Sequence, residues 1–313
     1  MSNSKKLVSV IVPIFNEVLM VDEIYDRIKE VFVNIESYEY EIVFFDDGST
    51  DGTCEEIEKL CAKDNKVKAV FYSRNFGYLK NTFYCMQQAK GDCAIVIHAD
   101  LQNPPELIPE FLAKWETGKQ VVLGVKNKSR ENKFIYFLRT VFYFLITKVF
   151  GVDLIPHATE FELFDKSFIK ILKDIKTNNP FLRGIVNEYA SSIDCVYYTQ
   201  EARKKGNSKF NIKKYYEFAI CGITQYSVCI PRRIILTCVF AFVLLFAEFC
   251  FVMFPDIIRL GLTYVADSLV IRCMLAVMLF LLMVVSLVFE YVIAIKNNNV
   301  EKPFVVEKTR INY

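Results

Sequence analysis

Short apolar runs alternate with amphipathic stretches along the first 125 residues of the chain. The apolar runs predict strands, and the stretches between them carry apolar residues at helical spacing and predict helices. Because strand and helix alternate four times, the fold class is predicted to be α/β with a doubly wound, mostly parallel sheet. The predicted strands are 7–15, 41–45, 67–72, 93–97 and 120–125, and the predicted helices are 18–35, 53–63, 79–89 and 107–117.

A different pattern follows residue 125. Residues 133–150 are rich in aromatic side chains, with Arg139 and Lys148 among them, which favours a helix at a bilayer surface over an ordinary buried helix. Residues 234–254 and 269–295 are apolar over about 20 residues or more, the length that a hydrocarbon core requires. We therefore predict two transmembrane helices; the alternative is a pair of long core helices in a soluble protein.

Basic residues indicate the orientation of these two spans. Four of them flank the outer ends of the pair and two lie between the spans: Arg232, Arg233, Lys296 and Lys302 outside, and Arg259 and Arg272 between. This asymmetry puts both outer ends in the cytoplasm. We expect a multi-pass protein of the cell (inner) membrane, with a cytoplasmic catalytic domain over 1–228, a membrane domain over 229–295 and a cytoplasmic tail over 296–313.

Composition excludes some classes of partner and site. The formal net charge is +2, so no overall field would attract nucleic acid, and basic residues gather only locally, at 126–139, 203–214 and 232–233. The ten cysteines form no CxxC pair and no Cys/His metal spacing, and there are only two histidines. We therefore expect reduced, buried thiols and no histidine-based zinc site.

Carboxylates follow two of the predicted strands. Asp46 and Asp47 come directly after strand 41–45, and Asp100 follows strand 93–97. Open α/β sheets bind ligands at the carboxyl ends of their strands, so at least one of Asp46 and Asp47 is expected to face the ligand crevice. A carboxylate there can accept from a base N–H or a ribose hydroxyl. The alternative is an Asx turn that also caps the following helix.

Asp100 and Gln102 are candidates for a metal site. In extended geometry, residues two apart point to the same side of a strand, so their oxygens would form a pair. Carboxylate, amide and phosphate oxygens suit Mg²⁺ or Mn²⁺, and such a cation would neutralise a leaving diphosphate. The alternative is a helix N-cap before Pro104 and Pro105, a role that Asn103 also fits.

An ordered set of motifs runs along the chain. The segments are VIVPIFNE (10–17), DDGSTDGT (46–53), SRNFG (73–77), ADLQNPPELI (99–108), PFLRG (180–184), RKKGNSK (203–209), GITQYS (222–227), EY (290–291) and KPFVV (302–306). Together these motifs are similar to the family 2 (GT-A fold) glycosyltransferases, and more narrowly to the polyprenyl-phosphate glycosyltransferases, such as dolichyl-phosphate mannose synthase and bactoprenol glucosyltransferases. The resemblance covers nearly the whole chain.

The resemblance implies roles for individual residues. The nucleotide sugar would contact Pro13, Phe15, Glu17, Asp46, Asp47, Arg74 and Ala99, and the metal would be held by Asp100 and Gln102. Asp100, Arg183 and Lys209 would be catalytic, and the acceptor phosphate would meet Lys126, Arg130 and Arg203. The charges agree with these roles, since a site that binds two phosphate groups needs cations. The alternative for each basic residue is a solvated or headgroup-facing charge.

Two positions depart from the family pattern. His98 stands where the family often has Asp, so the usual DxD is HxD here. Glu162, in the segment 159–165, stands where relatives usually have a cation in a Gly-Asp-Phe-Arg-Leu-like run. These changes could alter the donor or the metal requirement, or mark a weakened enzyme.

The resemblance implies transfer of a hexose from a nucleotide sugar to polyprenyl phosphate at the cytoplasmic membrane face; it favours UDP as the carrier and leaves GDP as the alternative. The expected partners are the donor, the lipid phosphate, the bilayer and Mg²⁺ or Mn²⁺, with no nucleic acid. Glu248 and Glu290 within the apolar spans would favour helix–helix contacts and a homo-oligomer. Two alternatives remain: a membrane-anchored transferase with a carbohydrate acceptor, and a non-catalytic relative that binds lipid or a partner.

Overall fold

The computed structural model describes residues 5–128, 155–199 and 304–313, together with isolated helical positions between 222 and 296. Its described strands form a single eight-stranded sheet in the order β7-β5-β6-β4-β1-β2-β3-β8. The strands are β1 (Lys6–Ile14), β2 (Tyr38–Asp46), β3 (Val67–Tyr72), β4 (Cys93–Val96), β5 (Val121–Lys128), β6 (Ala158–Asp165), β7 (Ile193–Thr199) and β8 (Glu307–Ile311).

The strand directions agree with the predicted mostly parallel sheet. β1 pairs in parallel with both β2 and β4, β2 pairs in parallel with β3, and β5 pairs in parallel with β7. β6 is antiparallel to both β4 and β5, and β8 is antiparallel to β3. The order of the strands reverses between β1 and β4, and such a switch point opens a crevice at the carboxyl ends of the strands.

Six α-helices are described in the part of the chain that carries the sheet. Helix α2 (Thr53–Lys63) and strand β3 have the predicted bounds, whereas predicted helices 18–35 and 107–117 each begin with a 3₁₀ turn, Val18–Met20 and Pro105–Leu107. The helices are α1 (Val21–Val33), α2 (Thr53–Lys63), α3 (Tyr78–Gln88), α4 (Ile108–Glu116), α5 (Lys166–Asp174) and α6 (Leu182–Tyr189).

The core covers both faces of the central strands. Every residue of β1 from Val8 to Ile14 is buried, as expected for a parallel strand with helices on both sides. Val10 and its neighbours on one face pack with α1, α2 and α4 in a single apolar cluster. On the other face, Phe164 of β6 stacks on Phe168 of α5, with 5.3 Å between ring centroids. Burial on both faces fixes the strands, so their carboxyl-end loops are held at defined positions.

The C-terminal residues add an element that the sequence did not predict. Residues 307–311, within the segment expected to be a tail, form β8 on the outer side of β3, with Ala69 opposite Ile311 and Phe71 opposite Thr309. Residues 300–313 therefore belong to the same compact unit as the sheet. Their sequence position after the predicted spans gave no sign of this pairing.

A second compact unit comprises residues 144–152 and 216–299. Its described helical residues include 281–289, and most of their large apolar side chains are exposed, for example Leu281 at 54% and Phe289 at 62%. Among the residues that the structure describes, no helix is long and apolar enough to cross a membrane. The predicted surface helix 133–150 and most of the predicted span 234–254 lie outside the described residues.

Candidate active site

The loops after β1 and β2 are joined by hydrogen bonds. The amide of Asn16 donates to the hydroxyl of Ser49 at 2.8 Å, and the side-chain oxygen of Asn16 accepts from the amide of Thr50 at 2.8 Å. The amide of Glu17 donates to the hydroxyl of Thr53 at 3.1 Å. Asn16 has a φ of 52°, a left-handed conformation that Asn tolerates better than most residues. These contacts hold the loops after β1 and β2 together at the carboxyl edge of the sheet.

Three predicted nucleotide contacts lie on β1 and in the loop that follows it. Pro13 is buried within β1, opposite Phe45, while Phe15 and Glu17 are half-buried in the loop that follows. Phe15 and Glu17 are therefore partly accessible at the carboxyl end of β1, whereas the side chain of Pro13 is not.

Asp46 closes its own turn. Its carboxylate is 1% exposed and accepts from the Ser49 amide at 3.0 Å, from the Ser49 hydroxyl and from the Cys54 thiol at 3.2 Å. This is the Asx-type turn that the sequence offered as the alternative reading of the acidic pair. Asp46 therefore stabilises the turn that follows β2.

Asp47 holds the loop that follows β3. Its carboxylate is 2% exposed and accepts from the amides of Phe76 and Gly77 at 2.7 and 3.0 Å. Burial raises the pKa of Asp47 to about 6, against the opposing effect of the two amide donors. The hydrogen bonds of this carboxylate therefore serve mainly to hold the loop 73–77 in place.

Gly48 allows this loop to approach closely. Its φ is +74°, and a Cβ atom there would lie 2.6 Å from the carbonyl carbon of Arg74. No side chain fits such a gap, so glycine is required by both conformation and space. Arg74 itself is exposed, with its guanidinium carbon 5.1 Å from the centre of the Phe76 ring. The loop therefore places Arg74, a predicted nucleotide contact, beside the turn formed by Asp46 and Asp47.

The turn after β4 differs from the predicted geometry. We expected Asp100 and Gln102 to share one side of an extended segment; instead Leu101 has a φ of 55° and its amide donates to the carbonyl of His98 at 3.2 Å. The expectation of extended backbone is wrong because the chain turns sharply before the 3₁₀ helix. The turn still brings the two residues together, since the amide of Gln102 donates to the Asp100 carboxylate at 3.2 Å.

The environment of Asp100 suits a divalent cation bound together with a diphosphate. Its carboxylate is half-buried, while Ala99 and Leu101 on either side are buried. Oxygen ligands of this type are those that Mg²⁺ and Mn²⁺ prefer, and phosphate oxygens commonly complete such sites. Among the described residues no group of three or more His, Cys, Asp or Glu side chains could hold a metal ion.

Next to this turn lies a polar cluster of Tyr78, His98, Glu160 and Arg183, which was not predicted from the sequence. The guanidinium of Arg183, on α6, donates to the carboxylate of Glu160 at 2.6 Å, and the hydroxyl of Tyr78 lies 3.2 Å from Nε2 of His98. Burial acts to raise the pKa of Glu160, but Arg183 and His98 outweigh it and hold that pKa below its usual value. The sequence identified Arg183 but not its partner, because Glu160 comes from an antiparallel strand that it did not predict.

Glu162, two residues along the same face of β6, differs in charge state. It is 1% exposed, and its Oε2 atom has no hydrogen-bond partner in the described part of the chain. Burial, reinforced by the neighbouring Glu160 charge, raises the pKa of Glu162 to about 8. At neutral pH this side chain is therefore mostly a neutral carboxylic acid, and it replaces the cation of the family pattern without adding a charge.

Lys126 lies at the carboxyl end of β5, at the same edge of the sheet. It pairs with Tyr198 of β7, and its amide donates to the carbonyl of His157 at 3.2 Å. The hydroxyl of Tyr198 accepts from the side-chain amide of Asn103 at 3.1 Å, so Asn103 braces the β4 turn rather than capping a helix as the sequence suggested. The other predicted acceptor-phosphate contacts, Arg130 and Arg203, and the predicted catalytic residue Lys209 lie outside the described residues.

The sheet thus gathers most of the predicted site at one edge. The described residues that it brings there are Phe15, Glu17, Asp46, Asp47, Arg74, Ala99, Asp100, Gln102, Lys126 and Arg183. Residues 9–190 match the sequence model of Glycosyl transferase family 2. The chain belongs to this family. As a family 2 glycosyltransferase it is an enzyme with the mostly parallel α/β sheet expected of the GT-A fold.

Relatives agree with this assignment. The chain is 36% identical over 220 residues to a protein described as uncharacterized glycosyltransferase YkcC of Bacillus subtilis, covering 70% of this chain and 68% of the relative. It is 33% identical over 228 residues to a prophage bactoprenol glucosyl transferase homolog of Escherichia coli, covering 72% and 74%. A solved structure of a mycobacterial protein shares the fold, with a TM-score of 0.50 at 17% identity, covering 71% of this chain and 75% of that one.

Proposed function

We propose that this glycosyltransferase moves a hexose from a nucleotide sugar to polyprenyl phosphate at the cytoplasmic face of the membrane. The observation that supports polyprenyl phosphate as the acceptor is the similarity to proteins named bactoprenol glucosyl transferase. One of them is that of Shigella phage SfV, which is 33% identical over 72% of this chain. A UDP-linked sugar is the donor to test first.

The crevice supports the donor half of this proposal. Phe15 and Glu17 border it after β1, Arg74 stands beside the acidic turn after β2, and Asp100 lies after β4. Asp100 and Gln102 would hold Mg²⁺ or Mn²⁺, which would neutralise charge on the diphosphate as it leaves. Asp46 and Asp47 would act on the donor by fixing the loops on which the nucleotide rests.

The proposed reaction needs little proton transfer. An anionic oxygen of the acceptor phosphate attacks the anomeric carbon, a new C–O bond forms, and the bond to the nucleoside diphosphate breaks with its electron pair. In-line attack inverts the anomeric carbon, so an α-linked donor gives a β-linked lipid-phosphate sugar. Because the nucleophile is already ionised at neutral pH, the enzyme acts by positioning and by charge neutralisation. Lys126 and Arg183 are the described cations proposed to meet the phosphates.

Exposed apolar side chains support a membrane setting. Over helical residues 281–289 and 291–293, large side chains such as Met283 (58% exposed) and Val292 (53% exposed) face outward. Soluble proteins rarely expose contiguous apolar patches of this kind, and lipid contact is a common reason for them. The proposed orientation, with the sheet domain in the cytoplasm, rests on the basic residues that flank the predicted spans.

The test is transfer of labelled sugar by the purified full-length protein. The assay combines radiolabelled UDP-sugars, Mn²⁺ or Mg²⁺, and undecaprenyl phosphate in detergent, with a reaction lacking the lipid as control. The proposal requires label to enter the organic phase only when the lipid is present. Label on a water-soluble glycan would instead support a carbohydrate acceptor. No transfer from any UDP- or GDP-linked donor by folded protein would support a non-catalytic relative.

A further inference from the structure

The C-terminal segment, residues 304–313, contacts both elements that border the donor loop 73–77. The loop leaves β3 at Ser73 and enters α3 at Tyr78. The amide of Ser73 donates to the carbonyl of Val306 at 2.9 Å, so the C-terminal segment extends its pairing with β3 to the first residue of the loop. On the other side, the carboxylate of Asp47 accepts from the last two residues of the same loop.

Side chains of the C-terminal segment also grip α3, the helix that follows the loop. The carboxylate of Glu307 accepts from the hydroxyl of Tyr84 at 2.7 Å and from the guanidinium of Arg310 at 2.6 and 2.7 Å. The ring of Phe304 lies 5.6 Å from that of Phe83, measured between centroids. The segment therefore holds β3 and α3 at a fixed separation, and the donor loop connects these two elements.

The last two residues of the segment, Asn312 and Tyr313, are also held by contacts with the sheet domain. The side-chain amide of Asn312 donates to the carbonyls of Cys61 and Val67 at 2.8 and 3.0 Å, and the ring of Tyr313 packs 6.3 Å from that of Phe45. Asn312 has a φ of 56°, which matches the tolerance of asparagine for left-handed backbone. These anchors lie on α2, at the start of β3 and on β2, where Phe45 directly precedes Asp46 and Asp47.

We propose that residues 304–313 are a positioning element for the donor site, which sets the geometry of loop 73–77 and thereby the affinity for the nucleotide. This inference rests on the proposed function, because it takes loop 73–77 as part of the nucleotide site. Its physical basis is that a loop of five residues held at both ends has few conformations, so Arg74, its second residue, is aligned before the nucleotide arrives.

Reciprocal coupling gives a test on the unaltered full-length protein. If the C-terminal segment improves nucleotide binding, nucleotide must in turn stabilise the segment. Hydrogen exchange is measured by mass spectrometry with and without UDP and Mn²⁺. We expect slower exchange in peptides covering 73–77 and also in those covering 305–313. Protection of 73–77 alone would overturn the inference and leave the proposed function standing, whereas protection in neither region would overturn both.

Two variants test the same point through kinetics. Glu307→Ala combined with Asn312→Gly removes the side-chain anchors and keeps a residue that tolerates positive φ; Lys308→Ala is the control, because the Lys308 side chain is exposed on the same strand. We expect the double variant to raise the donor KM by about 5-fold or more, the lower end of typical coupling, with the acceptor KM unchanged. An equal loss for both substrates, or none, would overturn the inference. If the double variant does not fold, the exchange experiment decides.

Discussion

The guanidinium of Arg183 and the carboxylate of Glu160 form an ion pair at 2.6 Å, with about a fifth of each side chain exposed. The pair joins α6 to β6 across the polar cluster beside Asp100. Breaking a buried ion pair from one side leaves an uncompensated charge, which costs more than the pair itself contributes.

Arg183→Ala is therefore expected to lower the free energy of unfolding by about 2 kcal/mol, less than the loss for a fully buried pair because this one is partly solvated. The measurement is chemical or thermal unfolding at neutral pH. Lys166→Ala is the matched control, since it breaks an exposed pair with Asp92 at 3.3 Å and should cost little. Equal stability of the two variants would contradict a structural role for the Arg183–Glu160 pair.

Glu162→Gln is expected to change how stability depends on pH. The pKa of Glu162 is about 8 in the folded protein against 4.5 for an ordinary glutamate, so between these values the folded state binds a proton that the unfolded state has lost. Stability of the wild type must then fall as pH rises across that range. The amide variant has no proton to lose and should show a smaller fall.

The useful window for this comparison is pH 6 to 8. Asp47, with a pKa of about 6 in place of 3.8, has the same sign of effect and titrates at the lower end of this window, but it is present in both proteins and cancels from the difference between them. The free energies of unfolding of the two proteins, measured at pH 6, 7 and 8, should therefore diverge. The Glu162→Gln variant should become more stable relative to the wild type as pH rises. Parallel curves over this range would show that Glu162 titrates normally.

Asp100→Ala is expected to abolish metal-dependent transfer without unfolding the protein. The carboxylate makes one hydrogen bond among the described residues, to the amide of Gln102, so its removal costs little structure. Loss of the ligand should reduce kcat by about 100-fold or more, as for other groups that stabilise developing charge. Calorimetric titration of Mn²⁺ in the presence of UDP should show weakened binding. Unchanged metal affinity and turnover would remove Asp100 from the site.

Gly48→Ala tests how closely the donor loop approaches the acidic turn. A left-handed alanine costs about 1–2 kcal/mol by itself, so Gly118→Ala, at φ +87° with no atom within 4 Å of the added Cβ, measures that cost alone. The Gly48 variant should lose more stability, because its Cβ would meet backbone atoms of Arg74. Its donor KM should rise as well, and the Gly118 variant's should not. Equal effects would mean that the loop yields without cost.

The sequence was most informative where structure is local. The bounds of α2 and β3 follow from periodicity and turn residues alone, and both are as predicted. Strand β6 was missed although Glu160, Phe161, Glu162 and Leu163 alternate between polar and apolar; the alternation gives no sign that Glu162 is buried as deeply as Phe161 and Leu163. β8 was missed because its residues are mostly exposed and charged, and its partner β3 lies more than two hundred residues earlier in the chain.

The candidate site shows the same division. Acidic residues after strands correctly pointed to the carboxyl edge, since that depends only on strand order and direction. The partners of Asp47 and Arg183 could not be predicted, because each contact joins segments that only the folded sheet brings together. The turn at Leu101 was missed for a related reason: a left-handed leucine is rare, and only the packing of its buried side chain requires it.

Strand β8 has a consequence for the solubility of the isolated sheet domain. β3 carries β8 along its outer side, so its amides and carbonyls are satisfied there by residues from the end of the chain. A bare strand at a sheet margin is a template for self-association. A shortened form of the enzyme that ends before residue 307 would leave the amides and carbonyls on the outer side of β3 unpaired. We expect copies of such a form to aggregate by pairing edge to edge.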